Sequence, residues 1–329
     1  MINLLNERNH LNLNLSNEEL IVEIGKLRKQ RNAIILAHYY QEAEIQDIAD
    51  FVGDSLQLAQ QAAKTQADVI VFAGVVFMAE TAKILCPEKT VLIPDLDAGC
   101  SLADSCNETD FKEFLNKYPN HTVISYVNTS AKIKALTDIV CTSSNALGIV
   151  NSLDKNEKII FAPDRNLGNY IKSITGRDMV IWDGACHVHD RFSLEKIIQL
   201  KNENIGAKII AHPECDKKIL ILADYIGSTS GLLNFVQKDD AKSYIVCTES
   251  GILYQMKLTM PQKVFIPAPP NDSTCACNDC QYMKLISLKK IYISLKYNRF
   301  EINLDENIRA KAELPIRRML SISENLGFK

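Results

Sequence analysis

Apolar residues along this chain come in short unbroken runs, and each run closes on a few polar or small residues. In order, 33–37 precedes His38-Tyr39-Tyr40, 69–73 precedes Gly74, 91–93 precedes Pro94-Asp95, and 123–124 leads into Tyr126-Val127-Asn128. Next, 139–141 precedes Thr142-Ser143-Ser144, 159–162 precedes Pro163-Asp164-Arg165-Asn166, and 180–182 precedes Asp183-Gly184. The last are 209–211 before His212-Pro213-Glu214, Ile226 before Gly227-Ser228-Thr229-Ser230-Gly231, 244–246 before Cys247-Thr248-Glu249-Ser250, and 264–266 before Pro267. Runs without alternation predict strands buried on both faces, as in parallel sheets. Helical spacing separates many of them, for example over 47–65, 77–85 and 193–202, and this β-then-α rhythm is that of an α/β protein. Upstream, 18–31 predicts an amphipathic helix capped by Ser16 or Asn17, with Leu20, Ile21, Ile24 and Leu27 as its apolar face.

Eleven such runs are too many for one doubly wound sheet, and three repeats of three or four strands fit better. The expected organisation is an N-terminal extension and helix over 1–30 and α/β lobes over 31–113, 114–195 and 196–290. A charged helical segment over 291–329 packs back on the body. No linker rich in Pro, Gly or Ser intervenes, so the lobes are expected to pack tightly against one another.

Cysteine placement repeats on the same scale. Cys275, Cys277 and Cys280 fall within six residues, and Ala98-Gly99-Cys100 and Gly184-Ala185-Cys186 each follow a predicted strand and a glycine. Cys100, Cys186 and Cys280 lie 86 and 94 residues apart, one per third of the chain. Each lobe is thus read as lending one thiolate to a shared metal centre. Three ligands from distant segments, rather than paired CxxC motifs, disfavour a structural zinc ribbon. Thiolates disfavour Mg²⁺ and Ca²⁺, and iron–sulfur clusters take Cys ligands. A [4Fe–4S] cluster held by only three would leave one iron open to act as a Lewis acid on a hydroxyl or carboxylate. The remaining Cys86, Cys106, Cys141, Cys215 and Cys247 read as small buried apolar residues.

Ligands of parallel α/β sheets bind outside the carboxyl ends of the strands. Here those ends carry His38, Tyr40, Tyr126, Asn128, His212, Glu214 and Glu249. For any one of them the plain account is a solvated loop, but His, Tyr and Glu are poor generic turn formers, and the set points to a site. The turns 141–146 and 226–231 are rich in Ser and Thr and lead into predicted helices. Hydroxyls beside free N–H groups make an anion site, although capping alone explains a single such turn. Two of them suggest a ligand with two anionic groups, with Gly74-Val75-Val76-Phe77-Met78-Ala79-Glu80 as a third, more apolar equivalent. His187 and His189 follow Cys186, and His189 is favoured as a hydrogen-bonding partner of substrate or ligand.

Composition narrows the partners. A net charge of −3 gives no electrostatic case for nucleic acid or an acidic membrane. No apolar run reaches the ~18–20 residues that span a bilayer, and 1–17 is Asn-rich without the apolar centre of a secretory signal. A reducing compartment is therefore expected, where ten cysteines serve as ligands or buried thiols rather than disulfides. An Asn-, Lys- and Ile-rich composition suggests the cytoplasm of a bacterium, or the plastid stroma.

From residue 33 to about 320 the chain resembles the quinolinate synthase family, the iron–sulfur enzymes of de novo NAD biosynthesis. The resemblance rests on Ala37-His38-Tyr39-Tyr40-Gln41, Gly53-Asp54-Ser55-Leu56, Val75-Val76-Phe77-Met78-Ala79-Glu80, Ala98-Gly99-Cys100-Ser101-Leu102-Ala103 and Tyr126-Val127-Asn128-Thr129-Ser130. It continues through Thr142-Ser143-Ser144, Pro163-Asp164-Arg165-Asn166-Leu167-Gly168, Trp182-Asp183-Gly184-Ala185-Cys186-His187-Val188-His189, His212-Pro213-Glu214, Gly227-Ser228-Thr229-Ser230, Cys280-Gln281-Tyr282-Met283-Lys284 and Arg317-Arg318-Met319-Leu320. The resemblance implies three homologous α/β/α lobes with short parallel sheets, related by pseudo-threefold symmetry around a central Fe–S site. Cys100, Cys186 and Cys280 would be the ligands of a [4Fe–4S] cluster. It implies condensation of iminoaspartate with dihydroxyacetone phosphate to quinolinate, phosphate and water, with transient contact to the aspartate-oxidising enzyme that supplies iminoaspartate.

By the same resemblance His38, Ser55, Tyr126, Val127, Asn128, Ser143, His189, His212, Pro213, Glu214, Ser228 and Thr229 would contact substrate, and Tyr40 would line the site. Among them Glu214 is the first choice for proton transfer, with Tyr40, Tyr126 and His212 assisting. The family often shows Cys-x-x-Cys-x-x-Cys near its end, whereas here Cys275, Cys277 and Cys280 are spaced differently, which bears on a redox pair and not on ligation by Cys280. Two other readings use the same residues: a different Fe–S hydro-lyase acting on a hydroxy acid, and a non-catalytic Fe–S sensor. The sensor would need a DNA- or partner-binding surface, for which the chain offers no basic stripe.

Overall fold

The computed structural model of the chain describes residues 14–271 and 279–328. Its strands form three four-stranded sheets. The first holds β1 (Ala33–His38), β2 (Phe51–Gly53), β3 (Val69–Ala73) and β4 (Thr90–Leu92). The second holds β5 (Thr122–Tyr126), β6 (Ile139–Cys141), β7 (Ile159–Ala162) and β8 (Met179–Ile181). The third holds β9 (Lys208–Ala211), β10 (Tyr225–Ile226), β11 (Ser243–Cys247) and β12 (Val264–Pro267). The orders are β2-β1-β3-β4, β6-β5-β7-β8 and β10-β9-β11-β12, so each sheet arranges its strands second, first, third, fourth. Every pairing within them is parallel. This is the α/β architecture of three lobes that the unbroken apolar runs predict. β3 and β7 are buried at every position, as strands covered on both faces must be.

One predicted element is corrected. Residues 47–65 are not a single helix: a helix over Ala43–Ile48 ends, β2 follows, and a new helix runs over Ser55–Lys64. Asp54 accounts for the break, because its carboxylate accepts the N–H groups of Leu56 and Gln57 while the Gln57 side chain returns to the Asp54 N–H. β2 escaped notice because it is a three-residue edge strand, paired only with β1 and half-buried at Phe51 and Val52.

The chain ends cover the first lobe. Helix Asn17–Gln30 starts at a capping box of Ser16 and Glu19 and packs with helix Leu288–Tyr297 on one face of the first sheet. Leu20, Ile24, Ile291 and Leu295 meet Ile35 and Val71 there. The chain then pairs Phe300 and Ile302 antiparallel with Ile93 and Val91, which closes the β4 edge. Helix Glu306–Asn325 crosses from helix Val76–Leu85 to β6 and helix Ala146–Ser152, tying the first lobe to the second. One apolar cluster runs through all three lobes, including Ile70 of the first sheet, Ile124 and Phe161 of the second and Ile210 and Tyr244 of the third. No helix among the described residues is long and apolar enough to cross a membrane.

Candidate active site

A parallel sheet sends all its carboxyl ends to one edge. Here the three such edges face one cavity of about 60 Å³. The repeat of the sheets is a repeat of chemistry. At the ends of β1, β5 and β9 stand His38 and Tyr40, Tyr126 and Asn128, and His212 and Glu214, each pair two residues apart and each facing the cavity. The turns after the edge strands β2, β6 and β10 contribute Ser55, Ser143 and Thr229. The segments after β4, β8 and β12 bring Cys100, Cys186 and Cys280 to the same wall. Val75, Phe77 and Met78 add an apolar side.

Glu214 is the hub. The Tyr126 hydroxyl donates to its Oε1 at 2.5 Å, its Oε2 lies 3.3 Å from His189 Nδ1, and its Oε1 lies 3.6 Å from His212 Nδ1. His189 Nε2 meets Thr248 Oγ1 at 2.9 Å, and the Tyr40 hydroxyl sits 2.8 Å from both Thr248 Oγ1 and Thr229 Oγ1. A chain of polar contacts therefore runs from Tyr126 through Glu214, His189, Thr248 and Tyr40 to Thr229, and His189 Nδ1 also meets Cys186 Sγ at 3.3 Å. His212 Nε2 lies 3.1 Å from Ser143 Oγ, and the imidazoles of His189 and His212 stack at 4.6 Å.

Burial sets the protonation states. It pushes the Tyr40 and Tyr126 hydroxyls well above their ordinary range, with the Glu214 charge adding to both, so both stay neutral donors. Burial pushes His212 down to about 3 even though Glu214 pulls the other way. Its Nδ1 accepts the Glu214 N–H, so neutral His212 carries its proton on Nε2 and donates to Ser143. That leaves the Ser143 hydroxyl proton free for a ligand. His38 is likewise pushed down to about 3 by burial, and its Nδ1 accepts the Tyr40 N–H. Burial raises the Glu214 carboxyl, but His189, His212 and the Tyr126 hydroxyl outweigh it and hold the carboxylate below its usual range.

The thiols behave differently from ordinary cysteines. Burial pushes Cys100 up to about 12 and Cys280 up to about 11, and burial with the Glu214 charge raises Cys186 well above its ordinary range. Cys100 and Cys280 each add to the rise at Cys186, so the three thiols feel one another. Such a set ionises when a cation binds among it. Cys186, His189 and Glu214 also place ligand atoms within 4.8 Å of one another, a possible metal-binding group. Among the described residues the Asn128 Oδ1 is buried without a protein partner, which fits a wall built to meet a ligand.

The model of the quinolinate synthetase A protein family matches residues 22–321. The chain belongs to the quinolinate synthetase A family. A quinolinate synthase of Microcystis aeruginosa is 58% identical over 306 residues, which cover 93% of this chain and 96% of that protein. One of Chloroherpeton thalassium is 54% identical over 312 residues, covering 95% of this chain and 97% of its own. One of Synechocystis is 58% identical over 305 residues, covering 93% and 96%. The protein is an enzyme of this family.

For a member of the quinolinate synthetase A family, most of the residues singled out in the sequence come together. His38, Tyr40, Ser55, Tyr126, Asn128, Ser143, His189, His212, Glu214, Thr229 and the three cysteines all line the cavity. Val127, Pro213 and Ser228 do not. Val127 is buried behind it, its carbonyl taken by the Lys134 ammonium at 2.9 Å. Pro213 and Ser228 line a neighbouring cleft, and Ser228 caps helix Thr229–Lys238. The third hydroxyl-bearing turn is Asp54-Ser55 rather than the one at Gly74, which follows the third strand and supplies the apolar wall. Cys275 and Cys277 lie outside the described residues.

Three contributors were not assigned roles from the sequence. Thr248 joins Tyr40 to His189. Glu249, fully buried, accepts the Cys280 N–H at 3.1 Å and pairs with Lys284 at 3.2 Å; burial pushes it up to about 7 against the pull of Lys284. Lys284 reaches the Tyr40 carbonyl at 2.9 Å. The strand-end rule singles out Glu249 already, and Thr248 stands beside it because β11 ends at Cys247.

Proposed function

We propose that the protein condenses iminoaspartate (iminosuccinate) with dihydroxyacetone phosphate to form quinolinate, in de novo NAD biosynthesis. The atoms balance with loss of phosphate and two waters, and no oxidant is needed. The observation that carries the reading is Glu214, a buried carboxylate touching Tyr126, His189 and His212 in a cavity that also presents three thiols and three hydroxyl-bearing turns.

Cys100, Cys186 and Cys280 would hold a [4Fe–4S] cluster, and their convergence on one cavity wall, one from each lobe, supports that assignment. When bound, the cluster supplies an iron with an open position, a Lewis acid for a substrate hydroxyl or carboxylate. The rest is the work of the side chains. Glu214, kept ionised, takes a proton from carbon beside the imine or carbonyl. Tyr126, a neutral donor to Glu214, holds its orientation. Tyr40 and His189 extend the chain of polar contacts by which that proton leaves or returns. Ser143, polarised by neutral His212, donates to an anionic group of the ligand, as do Thr229 and Ser55. Asn128 offers its unpaired oxygen to a ligand donor.

The test is product formation. Purified without oxygen, the protein should carry about four irons and four sulfides per chain and convert the two substrates into pyridine-2,3-dicarboxylate. Folded, iron-loaded protein that makes no pyridine product would overturn the reading. A second reading comes from the proximity of Cys186, His189 and Glu214, which suits a single metal ion. It predicts one metal per chain, no acid-labile sulfide and no acid–base role for Glu214.

A further inference from the structure

Asp54 lies outside the cavity, yet it touches all three lobes. It is 5% exposed. Its Oδ1 accepts the N–H groups of Leu56 and Gln57, both at 3.1 Å, at the start of helix Ser55–Lys64. Its Oδ2 accepts the Ser144 hydroxyl at 2.9 Å and the Ser230 hydroxyl at 2.5 Å. These serines stand in the turns after β6 and β10, as Asp54 stands in the turn after β2. One carboxylate thus joins the three edge-strand turns, with four donors filling its acceptor sites.

The residue beside each member of this clasp reaches the cavity. Ser55 follows Asp54, Ser143 precedes Ser144 and Thr229 precedes Ser230, and all three line the cavity. Asp54, Ser144 and Ser230 line the neighbouring cleft and not the cavity, while Ser143 borders both. Each turn is therefore a lever one residue long, pinned outside at the carboxylate and presenting a hydroxyl inside.

We propose that Asp54 is a positioning residue: by clasping Ser144 and Ser230 it fixes where Ser55, Ser143 and Thr229 present their hydroxyls to the ligand. The proposal rests on the functional reading above for its assay. The hydroxyl set comes from three separate lobes, so nothing local to one turn can hold its spacing. A carboxylate suits the task better than an amide. An amide turns two N–H donors toward either the serine hydroxyls or the helix N–H groups, and one side of the clasp then loses its acceptor.

Two variants of the full-length, cluster-loaded enzyme test this. Asp54→Ala removes the clasp at its centre. Ser144→Ala with Ser230→Ala removes its two outer arms and leaves the helix cap and every cavity hydroxyl in place. Each should raise KM for the substrates, and the Kd for quinolinate, by about tenfold or more, because misplacement of ligand-holding groups by an ångström is costly. Iron per chain should stay at the wild-type level. Combining all three substitutions should be no worse than Asp54→Ala alone, since the members act as one unit. Asp54→Asn should fall between wild type and Asp54→Ala.

KM and Kd within twofold of wild type in the serine pair overturns the proposal, and so does an activity loss matched by equal loss of iron. If Asp54→Ala fails to fold, the serine pair alone decides. If the wild type itself makes no quinolinate, the functional reading falls. The clasp is then judged by urea unfolding, where Asp54 and the serines must be non-additive; additive losses overturn it.

Discussion

Two sets of cysteines in this protein share a residue type and differ in nearly everything else. Cys100, Cys186 and Cys280, one from each lobe, are partly exposed along a cavity wall that they share with Glu214. Cys86, Cys106, Cys141, Cys215 and Cys247 are 0–3% exposed and packed in apolar clusters. Cys86 and Cys215 spend their thiols on backbone carbonyls, of Ala62 at 3.1 Å and Cys247 at 3.3 Å. Burial raises the thiol pKa in both sets, so acidity does not separate them. Nor do charged neighbours, since Cys215 in the core feels Glu214 and Cys247 as Cys186 feels Glu214 and Cys100. Position does: the cavity thiols converge on one partly exposed wall, whereas the core thiols are sealed among apolar side chains. A thiol's role here follows from where it is placed.

The largest effect should come from crossing that divide. Changing Cys100, Cys186 or Cys280 to Ala should reduce iron from about four per chain to less than one and abolish quinolinate formation. The same change at Cys86 or Cys247 should leave the full complement. Iron and sulfide analysis of anaerobically prepared variants decides it, and a Cys280→Ala protein with a full cluster would falsify the ligand assignment.

Next comes the carboxylate that the cavity thiols face. Glu214→Gln keeps size and shape, so Tyr126 and His189 still have a partner, but the base is gone. Iron should be unchanged and kcat should drop by about 10²–10⁴, the usual worth of one acid–base group. Normal turnover would remove Glu214 from proton transfer and would favour a purely ligand-holding cavity.

These predictions show what the sequence made legible. Apolar runs ending in His, Tyr and Glu located the strand ends, and parallel sheets force such ends together, so the cavity set could be assembled without coordinates. Even spacing of Cys100, Cys186 and Cys280 echoed a repeat that the three identical strand orders display. What escaped notice was short or remote. β2, three residues on a sheet edge, merged with flanking helices in the periodicity, which hid Asp54 as the partner of Ser144 and Ser230. Thr248 and Lys284 both meet Tyr40, 208 and 244 residues away, and no spacing rule assigns a role across that distance. Val127 sits where its neighbours Tyr126 and Asn128 face the cavity, and alternation turns it inward to the core instead.

A smaller effect sharpens the comparison from the core side. Cys141 is fully buried among Val140, Ile149 and their neighbours in the large cluster. Cys141→Ala should lose about 1 kcal/mol, the low end for removing one heavy atom from a packed interior, with iron and kcat at wild-type values. A urea titration alongside iron analysis measures both, and loss of iron in that variant would mean that the two sets are not independent.

The smallest effect is a slope. Burial, with some help from Asp110, pushes the Cys106 thiol up to about 12 in the folded protein, against an ordinary value near 9. Between those values the unfolded chain has released the proton and the folded chain has kept it. Fewer protons bound in the unfolded state means that stability falls as pH rises. Cys106 thus favours the fold fully below about pH 9, and that contribution is lost progressively toward pH 12. Cys106→Ala should flatten the alkaline decline in the urea midpoint by no more than about 1.4 kcal/mol per pH unit, the limit for one titrating group. The comparison is best run between pH 8.5 and 10.5, under reducing, anaerobic conditions and alongside Cys141→Ala, whose thiol is raised in the same direction by burial alone. Two variants with matching, shallower declines would establish the core set as inert thiols that resist ionisation. Declines as steep as that of the wild type in both would mean that other groups govern the alkaline limb.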